Sequence, residues 1–214
     1  MFESRTSFSY EPQRQGYDSS YWSTTVGAPF VSDGFLVISN SQCYHAADLL
    51  KGTFTFNVKV PTAPAQDDNR TWGLYNPGRG SYLYFSIADD VFSAAISDGE
   101  TSTSETITWS SDWTNASTEF RIIWEAGLAK FFINGVNVVT LSGPVPHDSL
   151  ALYLSNLEKS DDMLIKYIDV SNLQSFNLNE GLEDAVLELI FGSNTVRQVV
   201  GVTDVITDIQ RTGP

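Results

Sequence analysis

From Thr53 to Val60 the chain alternates cleanly: Phe54, Phe56, Val58 and Val60 fall on one side, Thr53, Thr55, Asn57 and Lys59 on the other. A period of two predicts a half-buried strand. The stretch Phe120 to Leu141, FRIIWEAGLAKFFINGVNVVTL, repeats the pattern. Phe120, Ile122 and Trp124 alternate with Arg121 and Glu125, and Ala126-Gly127 breaks the run. A second apolar run, Leu128 to Ile133, reaches Asn134-Gly135, and a third, Val136 to Leu141, follows. Both residues of Asn-Gly accept the positive φ of a type I′ turn, so this segment predicts an antiparallel meander.

Other short runs fit the same class. Phe35 to Ile38 follows the turn signal Asp33-Gly34. Thr71 to Tyr75 and Ser81 to Ile87 read as strands separated by Asn76-Pro77-Gly78-Arg79-Gly80, and Val91 to Ser97 follows Asp89-Asp90. Leu150 to Leu154 and Met163 to Val170 are the later strands. Pro61 to Asp68 is a polar loop, and Glu100 to Ser110, rich in Thr and Ser, is an exposed strand or loop. Turn signals roughly every 8–12 residues predict a sandwich or barrel. From Leu173 the aromatics thin out. Leu182, Val186, Leu189 and Ile190 lie at helical spacing, yet Ala185, Leu187, Leu189 and Phe191 alternate, so periodicity does not arbitrate. The abundance of Val and Ile from Val196 to Ile209 favours strands. The expectation is an all-β, antiparallel jelly-roll β-sandwich over residues 1–172, with a small β-rich C-terminal appendage over 173–214.

Composition narrows the function classes. Of the 214 residues, 42% are hydrophobic and 13% aromatic, enough for a large core. The formal net charge is −14, from 26 acidic and 12 basic residues. No basic face offers itself to nucleic acid, and an anionic membrane surface is disfavoured for the same reason. The acidity serves solubility; its sharper reading is a cation or a neutral partner such as a glycan. With one cysteine, Cys43, no intrachain disulfide forms. The start MFESRTSFSY lacks the basic and apolar regions of a signal peptide, and no apolar run of about 18 residues predicts a membrane span.

Several motifs carry a family resemblance. Tyr17-Asp18-Ser19-Ser20-Tyr21-Trp22, followed by Val31-Ser32-Asp33-Gly34-Phe35-Leu36-Val37-Ile38, resembles the opening of concanavalin A-like lectin/glucanase domains. Leu50-Lys51-Gly52-Thr53-Phe54-Thr55-Phe56, Phe131-Phe132-Ile133-Asn134-Gly135 and Lys166-Tyr167-Ile168-Asp169-Val170 resemble later strands of the same superfamily. The resemblance covers about residues 8–172, is laminin G-like in flavour, and implies two packed antiparallel sheets. It does not imply a function, because this fold hosts lectins, hydrolases, adhesion modules and virion proteins. Domains of the family often hold a structural calcium through an aspartate of the closing strand. Asp169 occupies that position by resemblance, and Asp67-Asp68-Asn69 is a second oxygen-rich candidate.

Catalysis finds little support in the motifs. Glucanases of this fold carry a strand E-x-D-x-x-E, whose carboxylates converge on one cleft. Ser81 to Ile87 has no acid, and Glu119 and Glu125 stand six apart at strand ends. Asp89-Asp90 and Asp161-Asp162 sit at turns, where aspartates serve local hydrogen bonds. Cys43, His45 and Asp48 read as a buried thiol and its neighbours rather than a nucleophile or metal site. His147, Asp148 and Ser149 are adjacent in sequence, so they cannot converge as a triad.

Binding fares better. If Leu83, Phe85 and Ile87 face the core, Tyr82 and Tyr84 share the other face of their strand. Trp72, Tyr75 and Arg79 lie on the neighbouring segments. Rings stack on the apolar faces of sugars, and polar tips serve hydroxyls, so these five residues are the candidate glycan platform. The reading at this level is a non-catalytic jelly-roll surface protein for binding or assembly: a phage or virus virion component with glycan binding. A secreted carbohydrate-binding or adhesion module is the first alternative, and a glycoside hydrolase-like enzyme without the usual carboxylate motif the second. The expected location is a virion or extracellular surface. Residues 173–214 are expected to mediate homo-oligomerisation or docking to a larger assembly.

Overall fold

The computed structural model describes residues 7–171, apart from 21, 46–48, 50, 126 and 158–160, together with the backbone of three strands in the C-terminal segment. In chain order the first strands are β1 (Ser7–Tyr10), β2 (Trp22–Val26), β3 (Phe30–Ser32), β4 (Phe35–Ile38), β5 (Ser41–His45) and β6 (Gly52–Lys59). Next come β7 (Asn69–Asn76), β8 (Ser81–Ala88), β9 (Val91–Ser97), β10 (Ser102–Thr106), β11 (Thr118–Glu125), β12 (Leu128–Ile133) and β13 (Val136–Ser142). β14 (Ala151–Asn156) and β15 (Met163–Ser171) complete the larger unit. Two single-turn helices, α1 (Pro12–Gln15) and α2 (Asp112–Asn115), sit in connections.

These strands form two antiparallel sheets. One runs in the order β13-β12-β11-β6-β15-β4-β3, with β1 paired to β15 beside β4. The other runs β10-β9-β8-β7-β14-β5-β2. Strand order departs from chain order in both sheets, because β6 pairs with β11 and β15, and β14 with β7 and β5. This is the predicted jelly-roll sandwich. The predicted meander is β11-β12-β13, and its Asn134-Gly135 turn has φ of 49° and 79°, as a type I′ hairpin requires.

Alternation builds the core. Phe54, Phe56 and Val58 from one sheet meet Trp72, Leu74, Leu83 and Phe85 from the other, all fully buried. Trp72 stacks on Phe85 and Phe92 at 6.0 and 5.8 Å and meets Phe120 of the facing sheet edge-on at 4.9 Å. Offset and edge-to-face rings fill the space between sheets and add attraction beyond area burial.

The far end of the sandwich is closed by a buried ion pair. Arg70 and Asp68 side chains are 3% and 5% exposed. Arg70 Nε donates to Asp68 Oδ1 at 2.7 Å, and its Nη2 donates to Asp68 Oδ2. Thr62 accepts from Arg70 at 3.4 Å and donates to Asp161 at 3.0 Å. The sequence reading placed Asp68 in a polar loop; the fold turns it inward as the counter-ion of Arg70.

The chain divides into two compact units, 1–174 and 175–214. The second contains β16 (Ala185–Phe191), β17 (Asn194–Val200) and β18 (Ile209–Thr212), joined as an antiparallel sheet in that order. The remainder of the expected assembly segment, and its side chains, lie outside the described residues. Among the described residues no helix is long and apolar enough to cross a membrane.

The ion pair yields a direct test. Asp68→Ala leaves the Arg70 charge buried without its partner and should cost about 3–5 kcal/mol of stability in urea unfolding. Replacing both residues, Asp68→Leu with Arg70→Met, should recover most of that loss. Equal stability of the single variant and wild type would refute the assignment.

Candidate functional site

The outer face of the seven-stranded sheet is organised in rows that cross the strands. One row runs Ser104–Ala95–Tyr84–Gly73–Tyr153–Tyr44–Ser23. On one side of it lies Ser102–Ser97–Tyr82–Tyr75–Ala151. On the other lies a hydroxyl row, Thr106–Ser93–Ser86–Thr71–Ser155–Gln42. No position in these three rows carries a charged side chain, in a chain whose net charge is −14. Thr71 and Ser155 lie low in the sheet, 8% and 2% exposed, while the tyrosines stand half-buried beside them.

The five tyrosines form two contacting groups. Tyr82 and Tyr84 stack at 4.2 Å. Tyr44 stacks on Tyr153 at 5.0 Å, and Tyr75 lies 5.2 Å from Tyr153 and 6.1 Å from Tyr44. Gly73 sits between Tyr84 and Tyr153 in the central row, and a Cβ there would come within 2.6 Å of the Tyr84 Cα and Cβ. A glycine at this point lets Tyr84 lie close over the strand. Burial raises the Tyr84 phenol, and Tyr82, Tyr153 and Tyr75 add to it. Burial, then Tyr153 and Tyr75, push the Tyr44 phenol up to about 12. Tyr44 and Tyr84 therefore stay neutral donors and acceptors at physiological pH.

At one end of this face a pocket of about 340 Å³ is lined by Arg79, Asp98, Glu100, His147 and Asp148. It is built from the β7–β8 turn, the β9–β10 turn and the loop before β14. The two turns touch: Gly99 has φ of 97°, and a Cβ on it would lie 2.4 Å from the Arg79 carbonyl oxygen. Asp148 Oδ2 accepts from Asn76 Nδ2 at 2.7 Å and from Ser81 Oγ at 3.0 Å, and lies 4.0 Å from Arg79 Nε. Asp98 accepts from the backbone N–H groups of Thr101 and Glu100 at 2.8 and 2.9 Å, which hold its carboxyl below the usual range. Ser97 Oγ accepts from Gly99 and donates to Thr101, tightening the same turn.

The structure sorts the sequence candidates. Tyr75, Tyr82 and Tyr84 share the face, and Arg79 lines the adjoining pocket. Trp72 does not belong to the platform: it is fully buried in the core, because β7 alternates Trp72 and Leu74 inward against Thr71, Gly73 and Tyr75 outward. Cys43 is core, its thiol pushed up to about 12 by burial. Asp169 stands exposed on the other sheet, between Ser9 and Thr55 in register. Among the described residues no group of three or more His, Cys, Asp or Glu is placed to hold a metal ion. Sequence reasoning missed Tyr44, Tyr153 and the pocket acids. Leu152 and Leu154 inward already imply Tyr153 outward, and the same alternation about Cys43 implies Tyr44; the short polar strand β5 hid the second.

No family model matches the chain, and no curated protein matches it by sequence. Solved structures do match. A β-1,3-1,4-glucanase (lichenase) derived from a mouse hindgut metagenome aligns at TM-score 0.64 and 11% identity, over 78% of this chain and 100% of that one. The catalytic domain of an endo-1,3-β-glucanase (laminarinase) from Thermotoga petrophila aligns at TM-score 0.63 and 14% identity, over 81% and 100%. The Crh5 transglycosylase in complex with NAG aligns at TM-score 0.63 and 11% identity, over 78% and 84%. The chain thus has the jelly-roll fold of the concanavalin A-like lectin/glucanase superfamily. These matches correct the expectation of a non-catalytic surface protein of a phage or virion, and they lend no support to an adhesion module. These three structures are glucan-cleaving enzymes and a transglycosylase, which favours the glycoside hydrolase-like alternative.

The phenols set an alkaline limit on stability. Tyr44 titrates near 10.0 when free and near 12 in the fold, so the folded state holds its proton longer. Stability from this group is complete below pH 10 and is lost as pH rises through about 12. Denaturant curves across that range should show the fall, and Tyr44→Phe should make it shallower.

Proposed function

We propose that this chain is a glycoside hydrolase-like jelly roll that holds a neutral polysaccharide along the tyrosine face and acts on it with loop carboxylates. The observation that carries the reading is the juxtaposition of an uncharged, ring-lined sheet face with a pocket of carboxylates at its end. Tyrosine rings present flat apolar surface to the C–H faces of sugars, and their hydroxyls, with the Ser/Thr row, bond to sugar hydroxyls. A polyanionic glycan would meet Asp98, Glu100 and Asp148 and the field of a strongly acidic chain, so the face selects neutral polymers.

Glycoside hydrolysis needs one carboxyl group to protonate the leaving oxygen and a second to act as nucleophile or to activate water. The outward positions of β7, β8 and β14 carry none, which agrees with the missing E-x-D-x-x-E motif. The acids must then come from the loops. Asp148, oriented by Asn76 and Ser81, suits the fixed nucleophile or base. Glu100, exposed on the β9–β10 turn, suits the acid. Arg79, beside Asp148, serves to orient a sugar hydroxyl.

The test is reducing-end release from laminarin, lichenan and soluble cellulose derivatives. Asp148→Asn and Glu100→Gln should each lower the rate about 10²–10⁴-fold, the span expected for loss of a proton-transfer group. Turnover that survives both substitutions, or no turnover on any neutral polymer, overturns the proposal.

A further inference from the structure

β2 carries a bulge facing β5. Thr24 pairs with Cys43 and Val26 with Gln42, so Thr25 is the extra residue. Bulges re-aim side chains beside functional faces. Here Thr25 Oγ1 donates to Gln42 Oε1 at 2.7 Å. With its oxygen engaged, the Gln42 amide turns its Nε2 toward β14, where it donates to the hydroxyl oxygen of Tyr153. The Tyr153 ring packs against Tyr44 at 5.0 Å and Tyr75 at 5.2 Å, one corner of a three-ring cluster that holds it in place.

A phenol O–H prefers the ring plane, which leaves its hydrogen two positions. A donor on one side fills the lone pair there and drives the hydrogen to the other. We infer that the Thr25–Gln42 relay fixes the Tyr153 hydroxyl as a hydrogen-bond donor, and makes Tyr153 a specificity-determining residue that requires an acceptor oxygen on the bound sugar. Gln42 and Thr25 are positioning residues: they act through Tyr153. The inference rests on the glycan reading of the tyrosine face and adds the polarity of one contact to it. A sugar position lacking an oxygen at that contact is rejected, because the phenol hydrogen would be left unpaired.

Gln42→Glu is the decisive variant. A glutamate keeps the shape but offers two acceptors, so Thr25 and Tyr153 both donate to it and Tyr153 faces the ligand as an acceptor. Wild type, Gln42→Glu, Gln42→Leu, Tyr153→Phe and Tyr84→Ala are titrated with laminarin and lichenan by calorimetry. Gln42→Glu and Tyr153→Phe should each weaken binding about tenfold, the upper range for one hydrogen bond. The double variant should be no weaker than either single one, since both remove the same donor. Gln42→Leu frees the hydroxyl to rotate and should lose about threefold. In the reducing-end assay Gln42→Glu should raise KM and leave kcat nearly unmoved, because the relay lies away from the carboxylate pocket.

If Gln42→Glu binds like wild type while Tyr84→Ala does not, the relay is overturned and the glycan face stands. Should wild type and Tyr84→Ala both fail to bind either polymer, the glycan reading falls and takes the relay with it. A drop in unfolding midpoint for Gln42→Glu large enough to explain its affinity also overturns the inference, since the relay would then serve the fold.

Discussion

The packing of Trp72 against Phe85, Phe92 and Phe120 is the contact on which the rest depends. It joins the two sheets, and it fixes the register of the strand at the centre of the candidate site. A slip of one residue in β7 would turn Trp72 out and bring Tyr75 in, inverting both faces at once. With Trp72 inward, Thr71, Gly73 and Tyr75 can only face outward. The pairing of β8 and β14 with β7 then brings Tyr82, Tyr84 and Tyr153 beside them. The core and the site are two consequences of one register.

The two ends of the sandwich serve different purposes, and charge marks the difference. At one end Arg70 and Asp68 neutralise each other in a buried pair tied to Thr62 and, through it, Asp161. Such pairs contribute little net stability but penalise the loss of either partner. At the other end the acids face a pocket, and Arg79 is largely exposed. The uncharged tyrosine face lies between. An extended neutral ligand would meet rings and hydroxyls along its length and carboxylates at one end, the distribution a glycan-processing surface needs.

The fold carries enzymes that place their carboxylates on a strand, and this chain places none on the outward positions of its central strands. Loops at strand ends position groups as well as strands do when hairpins brace one another, as Gly99 and the Arg79 carbonyl do here. With no acid on those strand positions, the face is given over to aromatic rings, and the carboxylates stand in the loops at its end.

Much of the fold was legible in the residues because strand alternation is local. Phe54 to Val60, Ser81 to Ile87 and the Asn134-Gly135 hairpin each declare their inward and outward sides within a few positions. The class, the meander and the outward placement of Tyr82 and Tyr84 followed from that alone. Trp72 was misplaced because a large amphipathic ring suits a core and a platform equally, and only the facing sheet, through Phe120, decided between them. Tyr44 and Tyr153 are 109 positions apart in the chain, and nothing local announces that β5 and β14 are neighbours. The same holds for Arg79, Asp98 and Asp148, which three separate loops bring to one pocket. The sequence by itself determined which side each strand turns to the core, because that depends on near neighbours along the chain. Which outward residues meet depends on strand order, and strand order exists only once the sheets have assembled.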